Sequence, residues 1–183
     1  QYDNGKAYII FSCSIAVALG GLFDFYFLHK LIFFWMIAPA FAAASMFTMA
    51  MTFPEKDEVF QKHVWIRVLP YVVAALLGWW SWREITTSLN DYAYLRVWQY
   101  EIIYCIVSLL FALAWLGLRR LKTASLVEEQ QIRLILLSGT LSFSPGIIWI
   151  FSTFFQKAGL FPHVLFLPFV VFPITIVYAL RKQ

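Results

Sequence analysis

Six apolar runs dominate this 183-residue sequence, and each is about long enough to cross the hydrocarbon core of a membrane as a helix. The runs comprise residues 8–28, 31–53, 66–82, 97–118, 132–155 and 164–180. In lipid, backbone N–H and C=O groups must be paired within the chain, as they are in a helix. The sequence therefore predicts an all-α membrane protein, a single integral membrane domain built as a bundle of six transmembrane helices. A five-span alternative stays open, in which Pro168 and Pro173 make the last run re-entrant.

The composition excludes an ordinary soluble domain. Apolar residues make up 62% of the chain and charged residues 13%, whereas soluble domains are about 45–50% apolar and about 25% charged. A soluble fold of this length could not hide so many aromatic side chains from water. The net charge of +4 is small and lies mainly in the connections, so it indicates membrane topology. We expect lipid as a partner and no nucleic acid.

The distribution of Lys and Arg predicts the orientation of the helices. Cytoplasmic connections of membrane proteins are enriched in these residues, and 119–133 is the most polar segment of the chain. With six spans, one side carries ten of the 14 basic residues: Lys6, Lys56, Lys62, Arg67, Arg119, Arg120, Lys122, Arg133, Arg181 and Lys182. The other side carries four: Lys30, Arg83, Arg96 and Lys157. Both termini are therefore expected in the cytoplasm.

Residues with the spacing of a catalytic or metal site are absent from the sequence. Cys13 and Cys105 lie in apolar runs, where small free thiols are the expected interpretation. His29, His63 and His163 have no spacing that would place two ligands on one helix face. The chain also lacks a glycine-rich phosphate loop and a nucleophile elbow. We expect no catalytic residue, no metal and no cofactor.

Small residues and prolines recur within the runs. Small residues four apart let helix backbones approach closely in lipid, so they predict that the second and fifth runs are the inner helices. The small residues are Ala38, Ala40, Ala42, Ala44 and Thr48 in the second run, and Ser138, Ser142 and Gly146 in the fifth. Prolines inside a helix are expected to bend it. These prolines are Pro39, Pro70, Pro145, Pro168 and Pro173.

Aromatic residues crowd the connection between the third and fourth runs. Trp and Tyr gather at the lipid–water boundary because their rings are apolar and their polar atoms need wet partners. The residues are Trp79, Trp80, Trp82, Tyr92, Tyr94, Trp98, Tyr100 and Tyr104. We predict that residues 84–95 form a short interfacial helix or loop at the outer surface.

Two acids, Asp24 and Glu101, are predicted at membrane depth near the same outer surface. A charge at that depth is costly unless it is paired or hydrated, so such residues indicate function. One interpretation is local pairing, with His29 or Lys30 beside Asp24 and with Arg96 or water beside Glu101. The other is a pocket that binds a small ligand or cation. Its predicted residues are Glu101, Asp24, Arg83, Arg96, Trp82, Trp98 and Tyr100.

Two blocks of the sequence carry a family resemblance. The first is Ala-Ser-Met-Phe-Thr-Met-Ala-Met-Thr-Phe-Pro at 44–54, followed by a basic stretch with Trp65. The second begins with Gln-Ile-Arg at 131–133, continues through Ser144-Pro145, and ends with Tyr-Ala-Leu-Arg at 178–181. Together they resemble the multi-pass membrane domains that precede bacterial sensor histidine kinases and related membrane-tethered phosphatases and cyclases.

The resemblance implies a route for signals along the last helix to a cytoplasmic effector. In that family, a helix ends in a Phe-Pro pair, a later helix begins with a Gln/Arg segment, and a Pro-bearing last helix ends in an Ala-x-x-Arg-like exit. The residues implied in the relay and in helix bends are Phe53, Pro54, Arg133, Pro145, Pro168 and Pro173. A purely structural interpretation also stays open, because proline stops a helix and long polar side chains anchor helix ends at the interface.

The resemblance therefore implies a membrane input or anchoring module of a bacterial signal-transduction protein, located in the bacterial inner membrane. The chain starts without Met and ends three residues after its last run, so we also expect it to be part of a longer protein. A second hypothesis is an accessory subunit of a respiratory or photosynthetic membrane complex, and a third is a small carrier or intramembrane enzyme. Self-association, or association with partner membrane subunits, is expected in either of the first two cases.

Overall fold

A computed structural model describes residues 2–27, 31–53, 62–88, 94–122, 125–156 and 168–181. Within these ranges the regular structure is helical and contains no strand, which confirms the predicted all-α class. The helices are α1 (Tyr2–Phe27), α2 (Ile32–Thr52), α3 (Val64–Thr87), α4 (Tyr94–Lys122), α5 (Leu126–Gln156) and α6 (Val171–Arg181).

Four stretches of the described helices are long and apolar enough to cross a membrane: Ile32–Thr52, Val64–Thr87, Arg96–Leu121 and Leu126–Ile148. Two shorter apolar stretches, Gly5–Gly21 and Pro168–Ala179, lie near the ends of the chain. The lengths of the four stretches support a multi-pass membrane protein, because a helix of about 20 residues crosses the hydrocarbon core.

The structure differs from the sequence interpretation at two connections. Helix α3 continues through Glu84 to Thr87, so the first part of the predicted interfacial segment extends the membrane helix. At the other end of the chain, Pro168 lies in a 3₁₀ turn before α6 and Pro173 is the third residue of α6. Proline is tolerated in a first helical turn because the N–H groups there have no partner within the helix. Pro173 therefore lies in the first turn of α6, and Pro168 lies in the 3₁₀ turn that precedes this helix.

The chain divides into two compact units, Gln1–Ala112 and Leu113–Gln183. We call them unit 1 and unit 2. Unit 1 contains α1, α2, α3 and the first part of α4, and unit 2 contains the rest of α4, α5 and α6. The boundary falls inside α4, which is a single continuous helix.

Helix α2 is the most enclosed of the four long apolar helices. In its apolar stretch 56% of the residues are buried, against 22% in that of α3. Two glycines allow the close approach of its neighbours. A side chain at Gly78 of α3 would overlap Ile37, and a Cβ atom at Gly21 of α1 would lie 2.7 Å from Cδ1 of Trp35. The predicted inner position of the second run therefore agrees with the structure.

Contacts between rings and polar groups show how the helices of unit 1 run. Helices α2 and α4 run in the same direction, because the pairs Trp35–Trp98, Pro39–Cys105 and Phe47–Phe111 advance together along both helices. Helices α3 and α4 run in opposite directions, because Pro70 pairs with Tyr104 and Ser81 with Glu101. This alternation is the one that helices produce when they cross a membrane in turn.

In unit 2, helices α5 and α6 form an antiparallel pair. The ring of Phe172 lies over Gly139, and that of Phe169 lies over Gly146. Phe143 contacts both rings, with centroids 5.1 Å and 5.0 Å away. The absence of a glycine side chain provides the space that each ring occupies. Ser138 and Ser142, which belong to the predicted small-residue stripe, are also buried.

Candidate functional site

A hydrogen-bonded pair of buried polar residues joins α3 and α4 in unit 1. The Ser81 hydroxyl donates to Oε1 of Glu101 across 2.6 Å, and both residues are 0% exposed. The second carboxyl oxygen of Glu101, Oε2, has no hydrogen-bond partner among the described residues. Buried acceptors are nearly always paired, so the orphaned carboxyl oxygen of Glu101 requires an explanation.

The sequence places Ser81 against Glu101 through a stripe of small residues on α3. Ala74, Gly78 and Ser81 lie on one face of the helix, and all three are buried. Small side chains let neighbouring helices approach closely, and this proximity brings a short serine side chain within reach of its partner. On α4, the spacing of Glu101, Cys105 and Ser108 puts them on one face, together with Tyr104.

Two further hydrogen bonds from α4 end on the carbonyl groups of prolines. The Tyr104 hydroxyl donates to the carbonyl oxygen of Pro70 across 2.9 Å, and the Cys105 thiol donates to that of Pro39 across 3.0 Å. Pro70 and Pro39 lie inside α3 and α2, respectively. These bonds tie α4 to both of its neighbours, beside the Ser81–Glu101 pair.

Aromatic rings flank this pair where α3 ends and α4 begins. Trp80 and Tyr100, the residues just before Ser81 and Glu101, stack with their centroids 5.3 Å apart. The Trp80 indole N–H donates to Oε1 of Glu84 across 3.1 Å. Tyr100 is about half exposed, so the stacked rings extend from the buried pair to the surface of unit 1.

The other predicted pocket residues lie in different surroundings. Trp98 stacks on Trp35 with centroids 5.7 Å apart, and Trp82 is half exposed and meets Phe33 edge-on. Arg83 and Arg96 are exposed. In the described part of the chain neither arginine forms an ion pair with Glu101. The side chain of Asp24, which belongs to the last turns of α1, lies outside the described residues.

The two ends of the second resemblance block meet at one buried contact in unit 2. The Gln131 side-chain amide, at the start of α5, donates to the carbonyl oxygen of Ala179 across 3.1 Å. Both residues are at most 5% exposed. This bond joins the Gln-Ile-Arg segment to the final Tyr-Ala-Leu-Arg segment, the two ends of the second block that carries the family resemblance. Arg133, two residues further along α5, is exposed.

An ion pair joins the end of α4 to the first turns of α5. The Arg120 guanidinium donates from Nε and Nη2 to Oε1 of Glu129, at 3.2 Å and 3.0 Å. Both side chains are about 40% exposed, so water screens the interaction and its contribution to stability is small.

The remaining predicted relay residues lie in different surroundings. Phe53 is buried and has the extended backbone expected before a proline, with its N–H donating to the Met49 carbonyl group. Helix α2 ends at Thr52, where the Phe-Pro pair predicts a stop. Pro54 lies outside the described residues. Pro145 lies inside α5, which continues past it.

Sequence reasoning missed Ser81 and the contact between Gln131 and Ala179. A signal for Ser81 existed, because Ala74, Gly78 and Ser81 repeat a small residue at helical spacing. No comparable signal existed for the second contact, since a backbone carbonyl group cannot be recognised in a sequence.

No cluster of three potential metal ligands occurs in the part of the chain that the structure describes. Comparisons of this chain with known protein families, with curated proteins and with solved structures found no match.

Proposed function

We propose that residues 1–183 form a membrane input and anchoring module of a bacterial signalling protein. In this proposal the chain crosses the inner membrane six times, with both termini in the cytoplasm. The opposite directions of α3 and α4 and the antiparallel pair of α5 and α6 support this topology, as does the excess of Lys and Arg on one side. The outer surface is then the end at which α3 ends and α4 begins.

The hydrogen bond between Gln131 and Ala179 carries the proposal. It holds the last turn of α6 against the first turns of α5, at the proposed cytoplasmic end of unit 2. A signalling module needs its exit helix in one of two defined positions, because a stimulus can act only by shifting the balance between two states. A buried amide that reaches a backbone carbonyl group defines one such position.

The proposed input lies in unit 1, at Glu101 and the aromatic rings beside it. Helix α4 is continuous and carries Glu101 in unit 1 and Arg120 in unit 2. It is thus a covalent connection between the two units. We infer that a stimulus at Glu101 moves α4, and that Arg120, paired with Glu129 of α5, passes this movement to the α5–α6 pair.

A chimera tests the proposal. Residues 1–183 are placed before the cytoplasmic domains of a characterised histidine kinase, and autophosphorylation is measured in membrane vesicles. Gln131→Met keeps the size of the side chain but removes the donor, so we expect the basal activity to change several-fold. The control is Gln130→Met, an adjacent glutamine that is exposed, which is expected to leave activity unchanged.

Equal kinase activity in the original chimera and both variants would contradict a role for the contact in output. Purification of the unaltered chain in a stable complex with other membrane subunits, together with that result, would favour the accessory-subunit hypothesis.

A further inference from the structure

The geometry of the Ser81–Glu101 pair points to a binding site for a proton. We propose that the Glu101 carboxyl group binds a proton within unit 1 and that release of this proton loosens the contact between α3 and α4. The proton site itself depends on unit 1 alone. Only the further idea that this proton is the stimulus of the signalling module rests on the proposed function.

The first observation that supports this site is the complete burial of Glu101 and its neighbours. Glu101, Ser81 and Val97, which lies one helical turn before Glu101, are all 0% exposed. Only one of the two carboxyl oxygens has a donor among the described residues, at 2.6 Å from the Ser81 hydroxyl group. An ionised carboxylate is stabilised by several donors or by a cation, and a single hydroxyl group is a weak substitute for water.

The groups on neighbouring helices do not offset a negative charge here. Helix α2 contains no titratable side chain. On α3, Arg83 is exposed, and Glu84 would repel a charge and accepts a hydrogen bond from Trp80. Arg67 and Tyr71 of α3 lie about three or more helical turns before Ser81. On α4, Arg96 and Tyr100 are exposed, and Tyr104 and Cys105 donate to proline carbonyl groups. Helix α1 carries Asp24, whose side chain is not described.

A bound proton fits the orphaned oxygen. A protonated carboxyl group has one O–H donor and keeps an acceptor oxygen, so Oε1 can still accept from Ser81 while Oε2 carries the proton. The pair then has no net charge inside the bundle. When the proton leaves, the carboxylate needs water or a cation, and both must enter between α3 and α4.

The stacked rings of Trp80 and Tyr100 provide the route to this site. Tyr100 is 48% exposed, and its backbone neighbour is Glu101. Separation of the two rings, now 5.3 Å apart, would admit water to the Ser81–Glu101 pair. The same separation would turn α4 relative to α3, which is the movement that the proposed relay requires.

Infrared difference spectroscopy tests the proton directly. The protein in lipid nanodiscs is titrated from acidic to alkaline buffer, and the C=O stretching band of protonated carboxyl groups is recorded. We expect a band that Glu101→Gln removes and that Ser81→Ala shifts, since Ser81→Ala removes its hydrogen bond. Glu84→Gln alters a carboxyl group nearer the surface and is expected to leave the band in place.

Identical spectra for the unaltered protein and Glu101→Gln would overturn the proton site. If Glu101→Gln does not fold, Ser81→Ala tests the proposal instead. A C=O band at the same frequency in Ser81→Ala and in the unaltered protein would overturn the proposal. The kinase chimera separates this inference from the proposed function. A band that depends on Glu101, combined with kinase output that does not respond to pH, supports the proton site and contradicts its use as an input.

Discussion

Both units contain glycines seated against large side chains, but they differ in the polar contacts between their helices. In unit 1, polar side chains of α3 and α4 reach across to neighbouring helices, as in the Ser81–Glu101 and Tyr104–Pro70 hydrogen bonds. In unit 2, the described contacts between α5 and α6 are mainly steric, with phenylalanine rings seated over Gly139 and Gly146. Gln131 supplies the amide bond to α6.

In the proposed function, unit 1 is the responsive region and unit 2 the transmitting one. A buried hydrogen bond to a carboxyl group changes when a proton binds or leaves, so the proposed proton site would make the contact between α3 and α4 depend on pH. Rings packed over glycines have no such dependence, and they move together with the helix that carries them. Close packing resists gradual deformation, so unit 2 is suited to pass on a displacement without absorbing it.

The largest effect is expected from Gly78→Val in unit 1. The new side chain would overlap Ile37 of α2, and overpacking of a close helix contact costs about 1–3 kcal/mol. Gly20→Val is the matched control, because a Cβ atom at Gly20 meets no neighbour within 4 Å. The free energies of unfolding can be compared by titration with sodium dodecyl sulfate in mild detergent, followed by circular dichroism. Equal losses in the two variants would show that the approach of α2 and α3 is not close.

A smaller effect is expected from Gly146→Ala in unit 2. The added methyl group would lie 2.8 Å from Cζ of Phe169, so the ring must shift, at a cost of about 1 kcal/mol relative to the control. Gly117→Ala is that control, since its position is open and it gains the same helix propensity. The same titration measures both variants. Stabilisation of both by similar amounts would mean that the ring is not seated over the glycine.

The smallest effect is expected from Tyr104→Phe in unit 1. This change removes only the hydroxyl group that donates to the Pro70 carbonyl oxygen. Hydrogen bonds between membrane helices contribute about 0.6 kcal/mol on average, so we expect a loss of that order in the free energy of unfolding. Tyr100→Phe is the control, because its hydroxyl group has no hydrogen bond among the described residues. A loss in Tyr100→Phe as large as that in Tyr104→Phe would remove the evidence for polar contacts in unit 1.

The site was only partly predictable. Glu101 stands out in the sequence because a carboxyl group inside an apolar run is costly, but its partner was expected to be Arg96 or water. Arg96 is exposed and Ser81 is the partner. A long charged side chain near a helix end can extend to the surface, and sequence alone does not show which way it extends. The small-residue stripe on α3 contained the missing information.

The sequence by itself determined the helical class, the apolar lengths and the stop of α2 at the Phe-Pro pair. These follow from local properties: the need to pair backbone groups in lipid, the thickness of the hydrocarbon core and the restriction before proline. Only the tertiary structure decided that Ser81 meets Glu101, that Gln131 meets Ala179, and that Pro173 begins a helix. Those contacts depend on which helix faces pack together and at which register, and many apolar faces are equally suited to lipid.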